Sequence, residues 1–541
     1  MVWDIPTFLH TRSPSGSRRA SADLIVLGLP AVIGTVALLV VTRKGAYASP
    51  DSAFYVGTAR NLLDGHGFAA PPGSPPLSHF PPLFPLVLAG IGRVTGLDPL
   101  DVAGIVNPLL LGVTALLVAV VVRRRSGSVG LAVAASAAVV VAVDLLVYFA
   151  SALTEPLFVV LVLGAMVSLA AAVDRGGRWP WVVAVACTAG ACLTRYVGVA
   201  LVVAEVGVLL ATGGGGRQAW RRAAAVGGAS VIPLVVWLAA AGRGNRPVVV
   251  HLFDADYWVS GARSLSRWVL PPYVPWPVGG LVLAAAVAGL AGVAVTNRSG
   301  RASRSGRTGP DDRATDPTER VGIDGDRAPD QPPDVLGLLL PAFTVAYLVV
   351  LVADRVVLDA SGRLDLRFLA VLHVVAVVGL VPWLHRNLRG RARRAVAAGG
   401  LALLALQAAY AGSWVADGFT DTSVGRRGLT AAAWDDSPVL AAVVALPPDV
   451  TVYSNAPEAV FLLTGRVAES LPAHTDYLSD RPRPEYDAER AVLADRLAHD
   501  EAVVVWMRPY AFRQRLLVPV EDLAVEPVLD DKFITLSRRL H

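Results

Sequence analysis

The sequence predicts an α-helical polytopic membrane protein that carries a small α/β domain at its C-terminal end. Of the 541 residues, 54% are hydrophobic and only 17% are charged, and the mean hydropathy is +0.54. Several apolar runs, such as LIVLGLPAVIGTVALLVV, are long enough to cross about 30 Å of hydrocarbon. From about residue 413 the composition becomes that of a soluble domain.

The apolar runs predict eleven membrane spans. The first run follows a basic stretch with Arg12, Arg18 and Arg19, and no small-residue cleavage site stands out, so it is expected to remain as an anchor. The predicted spans are 23–42, 104–122, 129–149, 154–173, 179–194, 197–212, 223–241, 276–295, 335–353, 368–384 and 395–412.

The arginines predict the orientation of these spans. They cluster in alternate connections, and the positive-inside rule assigns those connections to the cytoplasm. The clusters lie at 123–125, 175–178, 217–222, 298–327 and 386–394. We therefore expect a multi-pass protein of the inner (plasma) membrane, with the N-terminal tail 1–22 in the cytoplasm and the C-terminal domain outside. Because this placement accounts for the sequence pI of 9.3, no nucleic acid partner is expected.

Two connections are unusually long. Residues 81–92 are apolar but short, and counting them as a span would put the arginines at 123–125 outside, so 43–103 is predicted to be one large outer loop with interfacial helices. Residues 296–334 are rich in Gly, Ser, Pro, Arg and Asp and predict a disordered cytoplasmic linker. A tolerated insertion explains this linker more simply than a regulatory role.

Residues 413–541 are predicted to form the outer α/β domain. DVTVYSN, EAVVVWM and KFITLSRR are typical of strands, whereas APEAVFLLTG, ending at Gly465, and AERAVLADRLAHD are typical of helices. The two cysteines of the chain, Cys187 and Cys192, stand five apart in one apolar helix and are not expected to pair.

Two acidic residues stand at the predicted outer mouths of spans. Asp51 lies in YASPDSAFY after the first span, and Glu155 lies in SALTEPLF between two others. A carboxylate near the apolar edge of a bilayer is costly and is usually functional when it faces a cavity. Asp51 could accept a proton from a substrate hydroxyl, and its alternative role is a helix N-cap after Pro50. For Glu155 the alternative is a favourable charge in the first turn of a helix.

Histidines in the same loop suggest a metal site. His66 or His79 could join Asp51, Asp64 or Glu155 around a divalent cation such as Mg²⁺ or Mn²⁺, and Asp51, Glu155 and His79 are the proposed ligands. The spacing matches no strong metal motif, so ordinary loop hydrogen bonds remain the simpler interpretation for each histidine.

Arginines at the same predicted level could bind phosphate. Arg195, Arg363 and Arg367 stand at outer mouths of spans, where a guanidinium can make bidentate contacts to a phosphate group. The alternative is that each side chain snorkels to the interface. Tyr55, His66, His79 and Tyr196 are the candidates for further substrate contacts.

Several of these segments resemble the polytopic GT-C glycosyltransferases. The similarity is to the glycosyltransferase family 39-like branch, which contains protein mannosyltransferases and the aminoarabinose transferase of lipid A. The segments that carry it, over about 400 residues of the membrane part, are SPDSAFYVGTARNLLDGHGF, HFPPLFPLVLAGIGRVTG, SALTEPLF, LTRYVG and RLDLRFLAVLHVV, with a weaker likeness in VYSNAPEAVFLLTGR.

This resemblance implies an inverting sugar transfer from a polyprenyl-phosphate donor to an envelope glycan, lipid or protein. The family's catalytic acid would correspond to Asp51, its second acidic position to Glu155, and its lipid-phosphate contacts to Arg367, Arg363 or Arg195. Many relatives have two adjacent acidic residues in the first loop, whereas Ser52 follows Asp51 here, which makes metal dependence an open question.

Two other classes of function stay open at the level of sequence. A transporter or flippase would explain many spans, but transporters place charges near the midplane of the membrane rather than at its edge. A non-catalytic scaffold would use the outer domain to bind a partner. The chain contains neither a phosphate-binding loop that ends in Lys-Ser/Thr nor the glycine pattern of a Rossmann fold.

Overall fold

The computed structural model describes residues 14–69, 80–241, 255–268, 270–271, 273–282, 284–285, 334–357, 364–421, 423–475, 481–510, 516–523 and 525–539. The predicted linker at 296–334, except for Asp334, and most of the predicted span at 276–295 lie outside these ranges. The helices up to residue 420 are α1 Pro14–Val41, α2 Pro50–Leu63, α3 Leu83–Thr95, α4 Pro99–Ser126, α5 Val129–Val140, α6 Val143–Ala150, α7 Glu155–Arg175, α8 Arg178–Thr194, α9 Val199–Thr212, α10 Arg217–Ala241, α11 Ala255–Arg267, α12 Val335–Val357, α13 Leu366–Asn387 and α14 Gly390–Thr420.

The helices confirm a multi-pass membrane protein. Among the described residues, seven helices are long and apolar enough to cross a bilayer, namely α1, α4, α7, α10, α12, α13 and α14. The bent pair of α5 and α6 would be an eighth. Helices α8 and α9 are apolar but shorter, with 17 and 14 residues, so the number eleven stays a prediction.

The predicted span 129–149 is broken. Its two halves, α5 and α6, meet at an angle of 59°. Ala142 at the break has an extended backbone, with φ −74° and ψ 97°. The break falls in a run of β-branched valines, whose side chains lose rotamer freedom in a helix. Helix α6 ends at Ala150, whose carbonyl accepts a hydrogen bond from the backbone N–H of Tyr47 at 2.8 Å.

The C-terminal residues form an α/β domain around a five-stranded sheet of order β2-β1-β3-β5-β4. Strand β1 is parallel to β2 and β3, and β5 is antiparallel to β3 and β4. Its elements are α15 Val424–Arg427, α16 Pro438–Ala445, β1 Thr451–Ser454, α17 Pro457–Thr464, β2 Ala468–Ser470, α18 Tyr486–Ala498, β3 Ala502–Met507, β4 Val525–Asp530 and β5 Ile534–Arg539.

Most elements of this domain agree with the sequence prediction. The three predicted strands correspond to β1, β3 and β5, the two predicted helices correspond to α17 and α18, and Gly465 caps α17 in the left-handed conformation. Strands β2 and β4 were not predicted. The first has three residues, and the second contains Pro527 and is mostly exposed, so neither shows a strong apolar pattern.

The domain packs directly on the helices of the 43–103 loop. One hydrophobic core contains side chains of the loop helices, such as Val56 and Leu88, together with side chains of the domain, such as Val460 and Val505. Arg60 of α2 adds a polar contact, because it pairs with Asp98 at 2.9 Å and donates to the carbonyl of Leu462 at 3.2 Å. We call the membrane face that carries this domain the domain face.

We expect the shared core to contribute strongly to stability. Leu88 is fully buried in it, so Leu88→Ala should lower the free energy of unfolding by about 2–5 kcal/mol and lower the Tm. Leu86 on the same helix is 46% exposed, so Leu86→Ala is the matched control with little effect. Thermal unfolding of both purified variants in one detergent checks this, and equal Tm values would contradict it.

Candidate active site

Asp51 is the second residue of α2, and the helix is capped by another residue. Ser49 is the N-cap: its hydroxyl accepts from the backbone N–H of Ser52 at 3.4 Å, and the Ser52 hydroxyl accepts from the N–H of Ser49 at 3.0 Å. This reciprocal arrangement is a capping box. The N-cap role considered for Asp51 is therefore filled by Ser49, and the Asp51 carboxylate instead pairs with Arg367.

Two backbone hydrogen bonds place the start of α2 beside the start of α7. Tyr47 N–H donates to the carbonyl of Ala150, and Ala152 N–H donates to the carbonyl of Tyr47, both at 2.8 Å. The chain before Asp51 thus runs along the chain before Glu155. The two carboxylates, which are distant in sequence, come to one place.

Ala48, the residue after Tyr47, joins the same segment to the C-terminal domain. Ala48 N–H donates to the carbonyl of Arg427 at 3.2 Å, and Leu429 N–H donates to the carbonyl of Ala48 at 2.9 Å. On the opposite side the segment passes close to α4 at Gly104, where an added Cβ would lie 3.0 Å from the backbone nitrogen of Ala46. Segment 46–48 is therefore held between the membrane helices and the domain.

Asn107 holds the turn that precedes Glu155. This side chain is fully buried inside α4, and its amide nitrogen donates to the carbonyls of Ser151 at 2.6 Å and Leu153 at 3.2 Å. Those two carbonyls belong to an irregular connection that has few helical partners of its own. The amide therefore determines how Glu155 enters the site.

Four charged side chains meet at this point. Glu155 accepts hydrogen bonds from both Arg195 and Arg367, and Arg367 also donates to Asp51. Thr154 accepts from Arg195 at 3.2 Å. The Glu155 side chain is 3% exposed, whereas that of Asp51 is 29% exposed. Two positive and two negative groups balance each other, which is the condition for burying charges, and Asp51 is the accessible carboxylate.

The two arginines are oriented by their surroundings. The guanidinium of Arg195 lies over the ring of Phe368, 5.2 Å from its centre. Asp365 caps α13 by accepting from the backbone N–H groups of Arg367 at 3.0 Å and Phe368 at 3.4 Å. Burial raises the pKa of Asp365, although the charge of Arg367 opposes that shift.

Tyr55 and Tyr196, two further predicted residues, lie close to this cluster. Tyr55 is buried on α2 and packs against Phe80 and Phe84 with ring centres 4.9 and 5.6 Å apart. Burial raises the pKa of Tyr55, and the charges of the cluster also act on it. Tyr196 follows Arg195 and accepts a hydrogen bond from the indole of Trp237 at 3.1 Å.

The remaining predicted residues are not brought into the cluster by any described contact. His66 is exposed just after α2, where its backbone N–H donates to the carbonyl of Asn61 at 2.8 Å. His79 and Arg363 lie outside the described residues.

The described part of the site does not suit a divalent cation. Nowhere in the described ranges do three His, Cys, Asp or Glu side chains form a group that could hold a metal. Asp51 and Glu155 both pair with guanidinium groups, and a cation placed between them would be repelled by Arg195 and Arg367. His79, the third expected ligand, lies outside the described residues, so a divalent cation at this site stays a prediction.

Several contributing residues were not predicted. Asn107 is a polar residue in the middle of an apolar run, which is itself a signal of function or structure in membranes. Asp365 directly precedes the apolar run that begins at Leu366, a position typical of an N-cap. Thr154 and Phe368 carry no such signal, because their contacts to Arg195 depend on the tertiary structure.

Comparison with solved structures shows the fold. The chain is similar to the crystal structure of ArnT from Cupriavidus metallidurans bound to undecaprenyl phosphate, with a TM-score of 0.55, 14% identity, and coverage of 94% of this chain and 97% of that chain. The apo state of the same protein gives a TM-score of 0.47 at 15% identity, with coverage of 96% and 98%. No protein-family model and no curated protein matches the sequence. The chain therefore has the same fold as the ArnT structure with bound undecaprenyl phosphate.

We expect Glu155 to be a major determinant of stability. Removing one partner of a buried charge cluster costs about 3–5 kcal/mol, because the remaining charges stay buried and uncompensated. Glu155→Gln should therefore lower the Tm clearly. Asp98→Asn breaks the half-exposed pair with Arg60 and should cost about 0–1 kcal/mol. Thermal unfolding of both variants measures the difference, and similar Tm values would show that the cluster does not depend on its buried charge.

Proposed function

We propose that this chain, with its GT-C-like fold, is a membrane glycosyltransferase that moves a sugar from a polyprenyl-phosphate donor to an acceptor at the domain face. One observation carries the proposal: Arg367 stands at the membrane edge of α13 and is paired with the accessible carboxylate of Asp51. The crystal structure of ArnT contains undecaprenyl phosphate, which supports a lipid-linked donor for a chain of the same fold.

The position of the arginines suits such a donor. Arg367 is the second residue of α13, an apolar span, so its guanidinium stands where hydrocarbon gives way to polar groups. A polyprenyl chain would lie in the hydrocarbon, and its phosphate would lie at this level. Guanidinium groups bind phosphate through two parallel hydrogen bonds. Arg367 and Arg195 would hold the phosphate between them.

Donor binding would also release the base. Asp51 and a phosphate oxygen compete for the same guanidinium, and the phosphate brings more acceptor atoms to it. When phosphate takes the place of Asp51 on Arg367, the Asp51 carboxylate becomes available to accept a proton. Glu155 is too buried to exchange in this way, so it would remain as the anchor of both arginines and act through them.

The reaction is then a single displacement with inversion. An acceptor hydroxyl oxygen forms a bond to the anomeric carbon while the bond from that carbon to the phosphate oxygen breaks. The hydroxyl proton goes to Asp51 as general base. The leaving polyprenyl phosphate gains negative charge, which Arg367 and Arg195 would stabilise. No step requires a group beyond these side chains.

A lipid-linked donor also implies one membrane orientation for the proposed enzyme. Nucleotide sugars are cytoplasmic, so a lipid-carried sugar is expected where the site faces away from the cytoplasm. We therefore propose that the protein lies in the plasma membrane with its N-terminus in the cytoplasm. The domain face would then point away from the cytoplasm. The acceptor would be an envelope glycan, lipid or protein.

Asp51→Asn tests the base directly. Loss of a general base typically costs about 10²–10⁴-fold in rate, so transfer from radiolabelled polyprenyl-phosphate sugars should fall by that factor without loss of folded protein. Asp64→Asn is the matched control, because Asp64 is exposed at the other end of α2. Unchanged transfer in Asp51→Asn would remove Asp51 from the mechanism, and transport of a sugar lipid without any covalent product would contradict the proposed function.

Asn107→Leu tests whether the turn before Glu155 is positioned by α4. A displacement of about 1 Å can cost about 100-fold in rate, so kcat should fall about 10- to 100-fold while the KM for the donor changes little. Thr114→Val on the same helix is the control, because the Thr114 hydroxyl bonds only within α4. A 10- to 100-fold rise in donor KM with unchanged kcat would argue against a positioning role.

A further inference from the structure

A partly polar cavity lies on the domain face, outside the charged cluster. It has a volume of about 320 Å³ and is lined by Tyr47, Val147, Trp414, Asp421, Ser423, Gly425 and Arg426. Binding sites for small molecules commonly measure about 300–1,000 Å³ and combine apolar walls with a few polar groups. This cavity lies where α14 passes into the C-terminal domain.

The inner wall is aromatic and held in place. Tyr47 and Trp414 meet edge to face, with ring centres 6.3 Å apart. The guanidinium of Arg426 lies over the Trp414 ring at 5.0 Å and also donates to the backbone carbonyl of Trp414. A longer contact of 3.4 Å joins Arg426 to the Tyr47 hydroxyl. These contacts make the wall rigid before any ligand arrives.

The rim carries hydrogen-bonding groups at the surface. Asp421 accepts a hydrogen bond from the backbone N–H of Ser423 at 2.9 Å, and that bond holds the pKa of the Asp421 carboxyl below its usual value. The carboxylate is therefore charged at neutral pH and still has acceptor capacity. The Ser423 hydroxyl beside it is exposed.

The cavity is adjacent to the charged cluster along two chain segments. Tyr47 precedes Asp51 by four residues, so their Cα atoms are at most about 14 Å apart. On the other wall, Val147 is followed by Tyr148, and Tyr148 is close enough to Glu155 and Arg367 for their charges to act on it. A ligand one or two sugar units long could occupy the cavity and still reach Asp51.

We propose that this cavity is the acceptor subsite and that it binds the terminal saccharide of a glycan. This rests on the proposed function. Sugar hydroxyls would bond to the Asp421 carboxylate and to Ser423, and the apolar face of the sugar ring would lie against Val147 and the accessible edges of Trp414 and Tyr47. A phosphorylated acceptor fits less well, because Asp421 would repel it and Arg426 is already engaged with the Trp414 carbonyl.

The test compares acceptor and donor parameters in the purified full-length protein. The probes are octyl glycosides of single hexoses and pentoses as acceptors, with a radiolabelled polyprenyl-phosphate sugar as donor. Removing a hydrogen bond to a charged group should raise the acceptor KM about tenfold or more in Asp421→Ala. The donor KM and the slow hydrolysis of donor by water should stay unchanged. Trp414→Phe and Ser423→Ala should also raise the acceptor KM without changing the donor KM.

Asp417→Asn is the matched control, since Asp417 is exposed in the last turn of α14, four residues before Asp421, and it should leave every parameter unchanged. An unchanged acceptor KM in both Asp421→Ala and Ser423→Ala, which alter only the rim, would overturn the proposal. An equal rise in donor KM and acceptor KM would also overturn it, because the cavity would then belong to the donor.

Failure of the proposed function would look different. Wild-type protein would then neither transfer nor hydrolyse the sugar of any donor. Binding of the same octyl glycosides, measured by the change in tryptophan fluorescence, would still test whether the cavity binds a saccharide. Binding that is lost in Asp421→Ala and kept in Asp417→Asn would support a saccharide site, whereas no binding to the wild type would overturn it.

Discussion

The guanidinium of Arg367 joins Asp51 and Glu155, and the surrounding architecture depends on this ion-pair arrangement. Burying Glu155 near the edge of a bilayer is tolerable only because two arginines face it. Each arginine is held in turn by its own surroundings, Arg195 by the Phe368 ring and Arg367 by a helix start that Asp365 caps. The carboxylates can meet only if the start of α2 and the start of α7 lie side by side. The backbone hydrogen bonds of segment 46–48 hold the two helix starts in that position.

The residue types explain why the cluster was visible in the sequence. Asp51, Glu155, Arg195 and Arg367 each interrupt an apolar segment near its end, and such interruptions are costly unless they have a use. The sequence alone could not pair them, because pairing depends on how distant helices pack. For the same reason Ser49 displaced Asp51 as the cap of α2, since a capping box needs the actual backbone geometry. The bend between α5 and α6 was missed because a run of apolar residues has the same pattern whether it is straight or broken.

The C-terminal domain was easier to predict than its relation to the membrane. Strands β1 and β3 are buried apolar runs with parallel neighbours, and such runs stand out against polar connections. The shared core with α2 and α3 had no such signal, because an apolar helix face looks the same whether lipid or protein covers it. Yet that core explains why the domain belongs to the site: it holds α2, and α2 carries Asp51 and Tyr55.

The spacing of the charges along the chain also has a consequence for biosynthesis. Arg195 follows Glu155 by 40 residues, whereas Arg367 follows it by 212 and follows Asp51 by 316. At about 5–20 residues per second, the ribosome completes Arg367 roughly 10–40 s after Glu155. During that interval, of the two arginines only Arg195 has been synthesised and can neutralise Glu155. The early helices can therefore assemble around the Glu155–Arg195 ion pair. The arrival of α13 then closes the site, which makes its completion a late event in the synthesis of the chain.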